Sequence, residues 1–368
     1  MIIALFGFIL LFITILQAFM PKFLKPTEAF GVYIPDSHTK DSVVIKLKNT
    51  YTTVVLTFGM IIFLVYLWWA LTQKPAEETL ALVSVGVQFT TLFVSIGYYF
   101  MMHLRMKRLK ETQGWLIGKS EVRVVDVKFQ EKLKLIPRVL FIIPMFVTIG
   151  LIIYTFMKYD QMPEMIPTHW GPTGEADAFS EKTYFSVVAL PLILLVMQGM
   201  FLMMSEGMKF SGARLNPANK KASLVQQLAF RKYTSLLALF ITIGITLMMG
   251  YFHLQTIHPE ISSSLIMWAL PLTFLILTFA VVGIYAIKVG QSGSRLKVEE
   301  NSPAIENKIA VDEDRYWKGG MFYMNKNDPS IMVEKRFGVG WTLNFAHPIS
   351  WIVLLMPLLL IFGISFLL

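Results

Sequence analysis

Long apolar runs alternate with shorter polar connections along the 368 residues of the chain. A bilayer core about 30 Å thick is crossed by about 20 helical residues, so apolar runs of roughly 18 or more predict membrane spans. Eight runs are long enough, and they lie at residues 1–20, 52–72, 79–104, 137–157, 184–206, 232–253, 264–287 and 349–368. The pattern predicts an all-α polytopic membrane protein whose eight or so transmembrane helices form hairpins.

Composition agrees with this fold class. Hydrophobic residues make up 55% of the chain and charged residues 15%, whereas a soluble domain contains about 25% charged residues. The chain has no cysteine, which excludes disulfides and thiolate metal sites. No basic residue precedes the first apolar run and no clear small-residue cleavage site follows it, so we expect a retained helix and not a signal peptide.

The charges of the connections alternate along the chain. Basic residues exceed acidic ones at 21–51, 105–138 and 207–232, but not at 73–78, 158–183 and 254–263. Because basic connections stay in the cytoplasm, both termini are expected outside a bacterial cell membrane that the chain crosses many times. Orientation and contact with the lipid bilayer explain the net charge of +9, so we expect no nucleic-acid partner.

Short matches between apolar runs suggest an internal repeat. Thr57-Phe58-Gly59, Thr148-Ile149-Gly150 and Thr242-Ile243-Gly244 lie at similar depths, and "ALPL" occurs at 189–192 and at 269–272. We interpret the runs as three hairpins, the last two related by duplication, although apolar sequence also repeats by chance. The glycines would allow close helix packing, and Pro144, Pro191 and Pro271 would kink their helices.

The interior of the predicted spans contains few groups suited to ion coupling. The deepest polar residues, Gln88 and Gln198, are neutral. Ion-driven pumps place ionisable groups in the bilayer, so this composition argues against a proton- or sodium-driven pump. Neutral glutamine more often joins helices by hydrogen bonds.

Three polar segments carry further predictions. Alternation of apolar and polar residues predicts a strand over 120–132, and residues 290–311 form a polar linker. Aromatic and β-branched runs within 313–345 flank "NKNDPS" at 325–330, which predicts a hairpin turn, while Gly338 and Gly340 suggest a bulge or close approach. This small β-element is either a docking surface for a cytosolic protein or a cover for the helix ends.

The chain therefore divides into five predicted parts. They are an N-terminal membrane region, a first hairpin with a long outer loop, a second repeat-related hairpin, a cytoplasmic linker with the β-rich segment, and a final span: 1–136, 137–210, 211–288, 289–348 and 349–368.

The densest polar cluster of the chain is "MPEMIPTHWGPTGEADAF" at 162–179. Its prolines predict a stiff connector, and its candidate ligand-binding residues are Glu164, His169, Trp170, Glu175 and Asp177. A metal or acid–base site with His258 and Glu260 is an alternative, but no H-x-x-x-H or H-E-x-x-H helix and no nucleophile motif supports it. We expect a structural cap or a recognition surface, with no catalytic residue, metal or cofactor.

The same segment resembles a known signature. "MPEMIPTHWGPTGEADAFSEK" fits P-x-x-I-P-x-H-(W/F)-x-x-x-G-x-x-D, which is typical of a domain of unknown function in bacterial membrane proteins. That domain also occurs in SdpI-type immunity proteins, which resist a secreted toxic peptide and relay its presence. "AFGVYIP" at 29–35 is similar to a loop of longer members, and residues 315–345 resemble a second uncharacterised domain with W-K-x-G-x-F-Y-x-N and G-x-G-W-T-x-N-F.

The resemblance implies a non-enzymatic protein for immunity to, or sensing of, a secreted antimicrobial peptide or envelope stress. It implies a secreted peptide at the outer loops and a cytosolic protein at 313–345 as partners. A transporter or flippase subunit and a membrane-embedded metalloenzyme are the alternatives.

The charge alternation predicts a measurable topology. Reporters fused after residues 120 and 220 should give cytoplasmic signals, and reporters at 170 and 258 should give external ones, because basic connections are retained inside. A cytoplasmic signal at residue 170 would contradict the orientation and the outer position of the 162–179 segment.

Overall fold

The structure is a computed structural model that describes residues 2–122, 124, 126, 128–171, 176–298 and 308–368. Most of the described residues are helical. The helices are α1 (Ile2–Phe23), α2 (Ser42–Gln73), α3 (Glu77–Thr112), α4 (Phe129–Lys132), α5 (Arg138–Met157), α6 (Ala189–Gly207), α7 (Lys220–Ile257), α8 (Ser264–Lys288) and α9 (Pro348–Phe366).

All helices except the four-residue α4 are long and apolar enough to cross a membrane, which confirms the eight predicted long apolar helices. Their large apolar side chains point outward in many places, as Phe93, Leu359 and Phe362 do. A water-soluble monomer rarely exposes so much apolar surface, so the eight helices suggest a multi-pass membrane protein. Helices α1, α2 and α3 pack together, α6 packs between α5 and α7, and α8 and α9 contact α7 and α6 respectively.

Three helices continue beyond the predicted spans. Residues 42–51, 105–112 and 220–231, expected in connections, are helical parts of α2, α3 and α7. Helix α3 has 36 residues, about 54 Å of helix against a bilayer core of about 30 Å. Its extension is helical because Met102, Met106 and Lys110, four residues apart, share one buried face.

The connections gather at two ends of the bundle. At one end, which we call the basic end, lie the described residues of 24–41, 113–137, 208–219 and 289–347, linked for example by Lys25 to Glu334. The opposite, acidic end holds 158–188 and 258–263, linked by the Tyr154–His258 hydrogen bond. The alternation of connections is thus present in the fold, and which end faces the cytoplasm stays a prediction.

Among the described residues the strands form five two-stranded sheets. Four lie at the basic end: β1 (Glu28–Ala29) with β2 (Val32–Tyr33), β3 (Ser120–Val122) with β6 (Lys308–Ala310), β7 (Trp317–Lys318) with β8 (Phe322–Tyr323), and β9 (Met332–Glu334) with β10 (Trp341–Leu343). The fifth pairs β4 (Met165–Trp170) with β5 (Ala176–Glu181) at the acidic end. All pairs are antiparallel except β3–β6.

Two tight turns of the basic end meet backbone to backbone. Gly31 joins β1 to β2 with φ +75°, and Gly320 joins β7 to β8 with φ +72°. A Cβ atom on Gly31 would lie 2.4 Å from the Cα atom of Gly320, so neither position has room for a side chain. The Tyr99 hydroxyl lies 3.1 Å from the carbonyl oxygens of both Phe30 and Gly319 and holds the two turns to α3.

The predicted strand over 120–132 is confirmed at Ser120–Val122, which form β3, and is wrong at Phe129–Lys132, which form the short helix α4. Phe129 is buried beneath the guanidinium of Arg231, whose Cζ lies 4.6 Å from the ring centroid. The contact with α7 buries a single aromatic side chain, Phe129, whereas a strand would bury every second residue along one face.

The predicted hairpin turn at 325–330 is also wrong, because the strands that flank it pair elsewhere, β8 with β7 and β9 with β10. Within the segment, the side chains of Asn325 and Asp328 accept backbone N–H groups two residues on, at 3.0 and 2.9 Å. The turn that does join β9 to β10 contains Gly338 and Gly340, with φ +96° and +113°.

The glycines of the three Thr-x-Gly motifs differ in how closely a neighbouring helix packs against them. A Cβ atom on Gly59 would lie 2.2 Å from Thr14 of α1, and one on Gly244 would lie 2.3 Å from Phe274 of α8. Around Gly150 there is nothing within 4 Å, so the expected close packing is wrong there. The expected kink at Pro191 is also wrong: this proline is in the first turn of α6, where no helical N–H donor is needed. The common origin of the hairpins stays a prediction.

Replacing Gly59 with valine should destabilise the protein by about 1–3 kcal/mol, because the new side chain would force α1 and α2 apart. Gly150→Val, in the matched Thr-x-Gly position, is the control and should change stability much less. Thermal unfolding in detergent measures both. Equal losses in the two variants would show that helix propensity, and not helix contact, governs these glycines.

Candidate functional site

The described part of the 162–179 segment is a β-hairpin, which the sequence analysis did not predict. Met165 lies opposite Glu181 and Pro167 opposite Phe179, and the register shifts around His169. Ile166 is buried against an apolar cluster that includes Val187 before α6 and Ile257 at the end of α7. The hairpin is therefore fixed to the helix bundle by its apolar face.

His169 and Asp177 form a pair across the two strands. The Nδ1 atom of His169 lies 2.5 Å from Oδ1 of Asp177, and the two side chains are 69% and 51% exposed. A pair this exposed contributes at most about 1 kcal/mol to stability. Both polar groups are nevertheless held in a defined place and face solvent, where a ligand could reach them.

The other predicted site residues have structural partners. Trp170 stacks on Phe252 of α7, with 5.8 Å between ring centroids. Glu164 accepts a hydrogen bond from Lys182 at 2.8 Å, and this bond raises the pKa of Lys182. Glu175 lies outside the described residues, as do Pro172 and Gly174. Of the five candidates, the structure thus brings together His169 and Asp177.

The histidines at the acidic end have separate partners. His258 lies between the Tyr154 hydroxyl, 2.6 Å from Nε2, and Glu260, 2.9 Å from Nδ1. His253 lies 2.7 Å from the Thr155 hydroxyl. In the part of the chain that the structure describes, no group of three or more histidines and carboxylates is placed to hold a metal ion.

A charged network at the basic end was missed by the sequence analysis. The Lys110 ammonium lies 2.7 Å from Asp312 and 2.6 Å from Asp314, and Asp314 also binds Arg336 and the backbone N–H of Tyr33. Burial acts to raise the pKa of Asp314, but the charges of Arg336 and Lys110 outweigh it and hold that pKa below its usual range.

Glu334 is the second centre of this network. Its Oε2 atom accepts hydrogen bonds from Lys25 at 3.1 Å, from Gln227 at 3.0 Å and from Ser292. Burial acts to raise the pKa of Glu334, but the charges of Lys25 and Arg231 and the hydrogen bonds lower it to about 2. In the sequence the basic residues indicate topology, and no motif indicates partners hundreds of positions away.

Glu334 should make the protein sensitive to acid. Its pKa is lowered from 4.5 to about 2 by folding, so its contribution is fully present above pH 4.5 and is lost as the pH falls toward 2. The difference corresponds to about 3 kcal/mol. The melting temperature of Glu334→Gln should be lower at pH 7 and should fall less steeply between pH 6 and pH 3 than that of the parent. Parallel pH profiles would contradict this role.

Comparison with known families matches two parts of the chain. Residues 146–195 match the family model of a domain of unknown function, DUF1648, which is membrane-associated, and residues 326–351 match a family of unknown function, DUF5808. Neither the curated proteins nor the solved structures gave a match. The first region contains the hairpin residues, and the second contains Glu334 and Arg336. The prediction of two uncharacterised domains is confirmed by these matches.

Proposed function

We propose that the protein is a non-enzymatic integral protein of the bacterial cell membrane that recognises a secreted antimicrobial peptide, or an envelope-stress signal, and gives immunity or relays the signal. The observation that carries the proposal is the exposed His169–Asp177 pair on a hairpin anchored to the bundle. The likeness of the 163–177 signature to SdpI-type immunity proteins supports the same function.

The hairpin has the chemistry of a peptide-binding surface. Met165 and Phe179, diagonal neighbours on one face, are exposed beside the polar pair. Each strand has one paired neighbour among the described residues, so an extended peptide could add to an edge by backbone hydrogen bonds. Apolar contact, a polar pair and a free strand edge together suit an amphipathic peptide.

In this proposal the basic end faces the cytoplasm, both termini lie outside, and 313–345 is the part that a cytosolic protein would contact. Trp317, Tyr323 and Val333 of this segment are buried together, which supports its other role as a cover for the helix ends. Phe322 and Met324 are exposed and would form the cytosolic contact.

The function and the stability of the hairpin should separate in variants. We expect His169→Ala and Asp177→Asn to keep the parent's melting temperature in detergent, because both groups are exposed, yet to lose protection. Survival of a deletion strain complemented with each variant, and challenged with cationic amphipathic peptides or with stationary-phase culture supernatant, measures protection.

Ile166→Ala is the matched control within the same strand. It removes a buried side chain and should lower stability by about 2–5 kcal/mol. If the two polar variants lose as much stability as Ile166→Ala, or protect as well as the parent, the hairpin is a structural cap and the proposed recognition is wrong.

A further inference from the structure

A cavity of about 610 Å³ lies within the basic end. The described residues of its wall come from five separate segments: the connection after α1, residues 122 and 124 after α3, the approach to α7 with its first turns, the residues after α8, and the stretch from 310 to 336. Sites for small molecules have volumes of about 300–1,000 Å³, so the cavity is large enough for one. It is remote from the hairpin at the acidic end.

Four side chains of the cavity wall have a buried oxygen without a hydrogen-bond partner among the described residues. They are Oε2 of Glu28, Oε1 of Gln227, Oγ of Ser294 and Oε1 of Glu334. Gln227 is 1% exposed and Glu334 9%. Leaving a buried polar group unpaired costs about 1–3 kcal/mol, and more for a charged one, so four such groups in one wall need an explanation.

Three of these atoms, on Glu28, Gln227 and Glu334, can only accept hydrogen bonds, whereas the Ser294 hydroxyl can donate or accept one. The amide of Gln227 cannot be turned round, because its Nε2 atom donates to Glu334 at 3.0 Å and a carboxylate can only accept there. The Oε1 atom of Gln227 therefore points away from Glu334 and has no hydrogen-bond partner among the described residues. A molecule that satisfied this wall would have to supply N–H or O–H donors.

The charges of the wall favour a cation. Among the described residues, five carboxylates and three basic side chains line the cavity: Glu28, Asp36, Glu313, Asp328 and Glu334, with Lys25, Arg214 and Arg336. The basic groups are already engaged, Lys25 by Glu334, Arg214 by Glu313 and Asp328, and Arg336 by Asp314.

Glu28 stands apart from the other carboxylates. No described residue donates a hydrogen bond to its buried Oε2 atom, and burial raises the pKa of its carboxyl despite the charges of Lys25 and Arg336. A cation in the cavity would give it a partner. Directional N–H donors can reach acceptors on three different side chains, whereas the described residues offer no group of three carboxylates or histidines around one metal position.

We propose that this cavity binds an organic cation with a primary ammonium or guanidinium group, for which Glu28 is the counter-ion and Gln227 and Glu334 are hydrogen-bond acceptors. The site joins the "FGVYIP" loop, α7 and the segment that contains Glu334, so an occupied cavity ties three distant parts of the chain together.

The test uses the purified full-length protein in detergent and agmatine, which carries both cationic groups. Agmatine should bind saturably by calorimetry and raise the melting temperature, whereas 1-butanol should do neither. Glu28→Gln should weaken agmatine binding at least about tenfold. Without agmatine this variant should be as stable as the parent or more stable, because it removes an unpaired buried carboxylate.

Two further variants complete the design. Glu111→Gln alters an exposed carboxylate of α3 outside the cavity and should bind agmatine as the parent does. Ala213→Trp fills the cavity without removing a charge and should also abolish binding. N-acetyl-arginine amide separates the sources of the cation: binding indicates arginine within a polypeptide, and exclusion beside bound agmatine indicates a free amine.

The proposal is overturned if agmatine does not bind, if 1-butanol binds equally well, or if Ala213→Trp leaves binding intact. It is also overturned if Glu28→Gln lowers the melting temperature yet binds agmatine like the parent, since Glu28 would then be structural.

Discussion

The half-buried carboxylate of Asp314 fixes the arrangement of the basic end. It binds the backbone N–H of Tyr33, the ammonium of Lys110 and the guanidinium of Arg336, which belong to three distant parts of the chain. A charge that is largely removed from water is stable only when it is paired. Loss of one of these groups would therefore leave its partners without an interaction that offsets their burial. The contact between the turns at Gly31 and Gly320 depends on this arrangement, because it requires both hairpins to be held in place.

The two ends of the bundle differ in which kind of residue is buried and which is exposed. At the acidic end, apolar residues such as Ile166 are buried and the polar pair His169–Asp177 faces solvent. At the basic end, ionic groups are buried around a cavity and satisfy one another incompletely. An exposed, anchored hairpin is accessible to a large partner, whereas a cavity of about 610 Å³ holds a small molecule, so the two proposals concern different ligands and different surfaces.

Local signals predicted the helices well and the strands poorly. The strand predicted over 120–132 is wrong at 129–132 and the hairpin turn predicted at 325–330 is wrong, because two- and three-residue strands are defined by their partners and not by their own pattern. The hairpin around His169 is not predicted, for the same reason, although its polar residues are identified as candidate ligand-binding residues. Gly59 and Gly150 both end a Thr-x-Gly motif, yet of the two only Gly59 lies against a neighbouring helix. The motif itself does not predict that difference.

The sequence by itself determined the eight long apolar helices, the alternation of their connections and the chemistry of the 162–179 segment, because hydrophobicity and length act locally. Only the tertiary structure decided which charges meet. Lys25 and Glu334 are 309 positions apart, and the described cavity wall draws on five segments. Such pairs have no signature in one sequence, because their partner is chosen by how the helices pack and by the free energy of burying a charge.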